Sequence, residues 1–178
     1  MDATEPSILA GVHPGQSPAV VLEAARMAAA LGLPLVCAYS DPARFPLAQS
    51  PDGSVTSAPV DPDIPDDAGS SFPGHLATEL AQLVGHSLPQ RVEGGSGWRT
   101  VLLAGDPADA LARCAEAVDA AMIVVGTHGS SQAPLREILG RSVAARLARR
   151  QLRPVHVVPT HHGHTAQPGP AGSGPERP

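Results

Sequence analysis

A chain of 178 residues with a net charge of -5 and 16% charged residues suits one domain with irregular ends and offers nucleic acid no electrostatic attraction. All 12 basic residues are arginine, which excludes a phosphate-binding loop built on lysine. No run approaches the ~20 apolar residues of a membrane helix, and residues 1–10 lack the basic start and apolar stretch of a secretion signal, so the chain reads as cytoplasmic.

Residues 7–12 (SILAGV) form a short apolar run stopped by His13, Pro14 and Gly15, which predicts a first strand. Ser17 and Pro18 pair as an N-cap and first-turn proline. The helix they open runs to Gly32, with Val21, Leu22, Ala25, Ala28, Ala29 and Leu31 at helical spacing. Residues 35–39 (LVCAY) predict a second strand, so the opening is a βαβ unit.

From 40 to 73 the periodicity collapses. Pro42, Pro46, Pro51, Pro59, Pro62 and Pro65 fall among Asp and Ser residues. This predicts a long proline-rich insertion, mobile over 41–73, with no packed structure of its own. It either overhangs a site or is merely tolerated. Residues 74–92 return to helical spacing through Leu76, Leu80, Leu83 and Val84, and residues 99–104 (RTVLLA) predict a third strand. Asp106 and Pro107 then cap a helix carrying Leu111, Cys114, Ala115 and Val118 on one face.

The stretch 120–159 is the most informative. An apolar run through Met122 and Val125 stops at Gly126. A Gly/Ser/His loop, a helical Arg/Ala/Leu pattern and a last apolar run, 155–158, follow. Two buried strands joined by a helix again make a parallel βαβ unit. The loop after the first strand then faces the amino end of a helix, where α/β proteins bind anions and nucleotides. The sum is an α/β fold: a doubly wound, open, parallel five-stranded sheet flanked by four helices, with the proline-rich insertion after the second strand. Residues 1–160 form the domain, and 161–178 read as a disordered tail. Its His161, His162 and His164 suit at best weak metal binding, and no metal site is assigned. Cys37 and Cys114, each in an apolar setting, read as buried free thiols.

Three segments, ILAGVHPGQSPA, AGDPADALARCAEAVDAAMIVVGTHG and LGRSVAARLARRQLRPVHVVP, resemble the universal stress protein family of the adenine-nucleotide α-hydrolase-like fold. The resemblance covers roughly 6–159. Nucleotide-binding members of that family carry Gly, two residues, Gly, nine residues, then Gly followed by Ser or Thr. Gly126 and Gly129 fit the first pair. Ten residues then precede Gly140, and Arg141 stands between Gly140 and Ser142, so the pattern is one residue long on each count.

The resemblance implies a cytoplasmic stress-response module that binds ATP or another adenine nucleotide, with Mg²⁺ only alongside the nucleotide. It implies a site lined by Gly11, Val12 and His13, by Ala38, by Gly126, His128, Gly129 and Ser130, and by Gly140, Arg141, Ser142 and Val143. It also implies a homodimer formed through residues 154–159 (PVHVVP), and no nucleic-acid or membrane partner.

The chemistry of the loop is consistent with that site. Glycines let backbone N–H groups approach a phosphate and permit positive φ. Ser142 is placed to cap the last helix, Ser130 and Ser131 add hydroxyls, and Arg141 either pairs a phosphate or points to solvent. His13 stands where ATP-binding members have an aspartate that contacts the nucleoside. That departure keeps a second reading open, a dimeric scaffold or partner-binding module without ATP. No nucleophile–base pair or acidic cluster stands by the loop, so the chain does not read as a dedicated enzyme, and weak ATP hydrolysis is a distant third reading.

Overall fold

The computed structural model describes residues 5–65, 71–88, 97–127 and 142–160. Strand β1 is Ser7–Gly11, helix α1 Pro18–Leu31 and β2 Leu35–Asp41. Strands β3 (Arg44–Gln49) and β4 (Val55–Pro59) follow, then α2 (Gly74–Val84), β5 (Trp98–Ala104) and α3 (Pro107–Ala117). The chain continues with β6 (Ala120–Gly126), α4 (Val143–Arg150) and β7 (Val155–Val158).

Five strands form one parallel sheet in the order β5-β2-β1-β6-β7. Its strands are apolar without alternation because both faces are covered. Ile8, Ala10, Leu35, Cys37 and Val124 pack with α1 and α2 on one face. Leu9, Val36, Ala38, Ile123 and Val125 pack with α3 and α4 on the other. This is the doubly wound α/β layering that the element order predicts. No described helix is long and apolar enough to cross a membrane.

The helix signals operate as local chemistry dictates. Ser17 Oγ accepts from Ala19 N at 3.4 Å, Pro18 opens α1, and Gly32 ends it in the left-handed conformation at φ +66°. Asp106 Oδ1 accepts from Ala108 N at 3.0 Å and Asp109 N at 3.2 Å, capping α3. Two expected boundaries move. β1 stops at Gly11, although Val12 N–H still donates to Ala38 O at 2.9 Å. The helix expected over 74–92 ends at Val84, beyond which the N–H of Ser87 closes a tighter turn onto Val84 O at 2.8 Å; residues 89–92 lie outside the described residues.

The largest correction concerns 40–73. Where the composition predicts no packed structure, β3 and β4 form an antiparallel hairpin. Its turn is closed by Gly53 N–H on Ser50 O at 2.9 Å, with Gly53 at φ +86°. Arg44 is 3% exposed. Its guanidinium donates from Nε to Ser57 Oγ at 2.9 Å and from Nη2 to Ser57 O at 2.8 Å, so burial leaves these donors satisfied. The hairpin lies beside β5 and α3: Arg99 Nη2 donates to Asp52 O at 2.5 Å, and Val55 packs into the α3-side core. Prolines 46 and 59 are compatible with this because neither hairpin strand is central.

Both thiols are buried and free. They lie in different cores, Cys37 on the α1 side and Cys114 on the α3 side, so the sheet separates them. Burial pushes each thiol up to about 12, which keeps both protonated and unreactive near neutral pH.

Candidate functional site

In the sheet order, β1 and β6 are neighbours whose onward connections leave in opposite directions, β1 toward β2 and β6 toward β7. A parallel sheet opens a crevice beyond its carboxyl ends at such a switch point. A cleft of about 710 Å³ occupies that place, within the size range of small-molecule sites. Gly11 at the end of β1 and Val12 and His13 just after it line the cleft, with Ala38 and Ser40 from β2, Val125 and Gly126 from β6, and Thr127 just after β6. Gln16, Ser17 and Pro18 close it at the start of α1, Pro107 and Leu111 on α3, Val143 on α4 and Thr160 after β7.

Of the residues expected at the site, the structure brings Gly11, Val12, His13, Ala38, Gly126 and Val143 together on these walls. His128, Gly129, Ser130, Gly140 and Arg141 lie outside the described residues. Ser142 does take the N-cap position of α4, but its side chain makes no capping hydrogen bond. Its backbone carbonyl accepts from Arg146 N at 3.1 Å. The start of α4 is held by a different device: Arg146 Nη1 donates to Asp106 Oδ2 at 2.6 Å.

Gly126 also differs from the expected role. Among the described residues positive φ occurs at Gly15, Gly32, Gly53, Gly105 and Asp119, not at Gly126. Glycine is required there by close packing. A Cβ would stand 2.9 Å from Val20 Cγ2 and 3.0 Å from Thr160 Cγ2. Gly11 is similar, with Leu111 Cδ1 at 2.9 Å from the corresponding point. These two glycines keep the cleft floor low by letting side chains from other elements approach the strand ends.

His13 and Gln16 share one wall. His13 Nδ1 stands 2.9 Å from Pro14 O, so that nitrogen carries the proton. Gln16 Oε1 accepts from His13 N at 3.2 Å, which fixes which way the amide points, since only its oxygen can accept an N–H. Gln16 Nε2 is buried and has no hydrogen-bond partner among the described residues. At the ends of β6 and β7, Thr160 N donates to Thr127 Oγ1 at 2.9 Å, Thr160 Oγ1 donates to Thr127 O, and Thr127 N donates to Val158 O at 3.0 Å. These bonds zip the ends of β6 and β7 together beneath the cleft.

Sequence reasoning did not find Gln16, Ser40, Leu111, Thr127 or Thr160. Ser40 had a usable signal, since it ends an apolar strand run at its carboxyl end. Leu111 had none, because an apolar helix position reads as core whether or not it also faces a cleft.

The electrostatics favour an anion. The first residues of three helices, Pro18 of α1, Pro107 of α3 and Val143 of α4, meet at the cleft. Each helix start carries partial positive charge; Pro18 and Pro107 have no N–H, Ser17 and Asp106 cap the donors that follow them, and the start of α4, with no side-chain cap, keeps its first-turn N–H groups outside the helical ladder. No carboxylate lines the cleft among the described residues, and no group of three His, Cys, Asp or Glu could hold a metal there.

The model of the Universal stress protein family matches residues 6–159. The fold is similar to a universal stress protein solved in complex with cAMP (TM-score 0.58, 24% identity, covering 89% of this chain and 100% of that one). It is also similar to a universal stress protein from Archaeoglobus fulgidus (TM-score 0.53, 17% identity, 85% of this chain and 92% of that one). No curated protein matches the chain at a significant level.

Proposed function

This chain belongs to the universal stress protein family, and from that premise we propose that its cleft binds an adenine nucleotide and that the protein acts as a stress-response binding module. The observation that carries this reading is the meeting of three helix amino ends on a cleft of about 710 Å³ with no lining carboxylate among the described residues. Phosphate belongs against the start of α4, which has no side-chain cap, and the apolar surfaces of Val12, Leu111 and Val125 suit a base. A structural relative that holds cAMP supports the ligand class. Mg²⁺ would enter only with the phosphates.

Titration calorimetry with ATP, ADP, AMP and cAMP tests the proposal. At least one should bind with a Kd below about 1 mM, corresponding to roughly 4 kcal/mol. Absence of heat at millimolar concentration of all four would remove the ligand.

A second reading, a dimeric scaffold, draws on His13 standing in the position of the family's aspartate. It shares one feature with the first: a homodimer through residues 154–159. β7 is an edge strand of the sheet, with Val157 40% exposed. The opposite edge, β5, is flanked by the hairpin. An apolar edge strand favours pairing with a second copy. Sedimentation at micromolar concentration should report twice the chain mass of 18.1 kDa; a stable monomer would end the dimer in both readings.

A further inference from the structure

Helix α4 has only eight residues, too few to hold its place by helix propensity. Its apolar anchors are Ala144 and Leu147, and its N-cap side chain contributes no hydrogen bond. Its first residue, Val143, nevertheless lines the cleft together with Pro107, the first residue of α3. One carboxylate joins the two helix starts. Asp106 Oδ1 caps α3 through Ala108 N and Asp109 N, while Oδ2 accepts from Arg146 Nη1 at 2.6 Å. Asp109 extends the tie, with Arg146 Nη2 at 3.8 Å and Arg150 Nη1 in contact.

We infer that Asp106 and Arg146 form a latch that positions the amino end of α4 against the cleft, and that nucleotide affinity depends on it. Neither residue lines the cleft; both are positioning residues, acting through the placement of Val143 and the N–H groups beside it. The affinity half of this inference rests on the proposed ligand, whereas the placement half does not.

The two functions of Asp106 can be separated chemically. Asparagine caps a helix as well as aspartate, but it cannot pair ionically with Arg146. The experiment compares Asp106→Asn, Arg146→Ala, Arg146→Lys and Arg149→Ala with the unaltered chain. Arg149→Ala removes the same charge from an exposed position of the same helix. Hydrogen exchange is followed in α3 and α4, and the affinity for AMP is titrated.

Asp106→Asn and Arg146→Ala should speed exchange in α4 while α3 stays protected in Asp106→Asn. They should weaken AMP binding about twofold to fivefold, the scale of one partly exposed charged contact. Arg146→Lys should recover part of the loss, and Arg149→Ala should match the unaltered protein. Unchanged exchange in α4, equal loosening of α3 and α4 in Asp106→Asn, or the same loss in Arg149→Ala would overturn the latch. An unaltered protein that binds no nucleotide would overturn the ligand reading alone, because exchange still decides whether the latch exists.

Discussion

Replacing His13 by aspartate should tighten the binding of adenine ribonucleotides about tenfold to hundredfold, the value of one charge-assisted hydrogen bond of roughly 1.5–3 kcal/mol. His13 lies at the carboxyl end of β1, on the wall of the cleft. A neutral imidazole has one acceptor nitrogen, and a carboxylate accepts through two oxygens from both hydroxyls of a ribose. The backbone of this turn should survive the loss of the imidazole's bond to Pro14 O, because Gln16 Oε1 accepts from the main-chain N–H of residue 13 and Gln16 N donates to its carbonyl at 3.2 Å. The gain is specific to the sugar. AMP should show it in calorimetry, and a 2′,3′-dideoxy analogue should show none. Equal affinities of the two proteins for AMP would place the ribose away from this wall, and an equal gain with the dideoxy analogue would assign the effect to charge alone.

Replacing Gly53 by alanine should destabilise the fold by about 2–5 kcal/mol. The backbone at φ +86° costs an L-residue roughly 1–2 kcal/mol. The new Cβ would also stand 2.7 Å from Val118 Cγ1 and 3.0 Å from Cys114 Sγ, and overpacking of this kind adds about 1–3 kcal/mol. Val118 is buried and β-branched, so it has little room to turn aside. For a chain of this size the sum corresponds to a melting temperature lower by roughly 4–20 °C. Gly15→Ala is the matched control: its φ is +74°, but a Cβ there meets nothing within 4 Å. Calorimetric melting of the two variants isolates the contact. Equal shifts would mean that the hairpin turn is not seated on α3.

That contact also shows why composition misread the insertion. Six prolines between 42 and 65, amid Asp and Ser, predict a chain unable to bury enough surface to order itself. The hairpin solves the problem without a core of its own. Arg44 is buried by satisfying its donors on Ser57, Val55 reaches into the α3-side core, and Gly53 seats the turn on Cys114 and Val118. Each contact joins residues far apart in the chain, so no local window contains the signal.

The candidate site divides in the same way. The strand ends at Gly11 and Gly126 and the capped starts of α1 and α3 are legible because they rest on residues within a few positions of one another. Thr160 meets Thr127, and Asp106 meets Arg146, only after β6, α4 and β7 have packed. The requirement for glycine at 126 comes from Val20 and Thr160, and nothing beside Gly126 in the chain announces them.

The sequence by itself determined the succession of the five sheet strands and four helices, the caps of α1 and α3, the doubly wound layering and the end of the sheet at which a ligand would sit. Those features follow from apolar periodicity and from Ser, Asp, Pro and Gly acting on their immediate neighbours. Only the tertiary structure decided that the proline-rich insertion folds as a hairpin against α3, that α4 is held by Asp106 rather than by Ser142, and that three helix starts meet at one cleft. These are long-range contacts, whose partners are selected by packing and satisfied hydrogen bonds, and spacing along the chain carries no record of them.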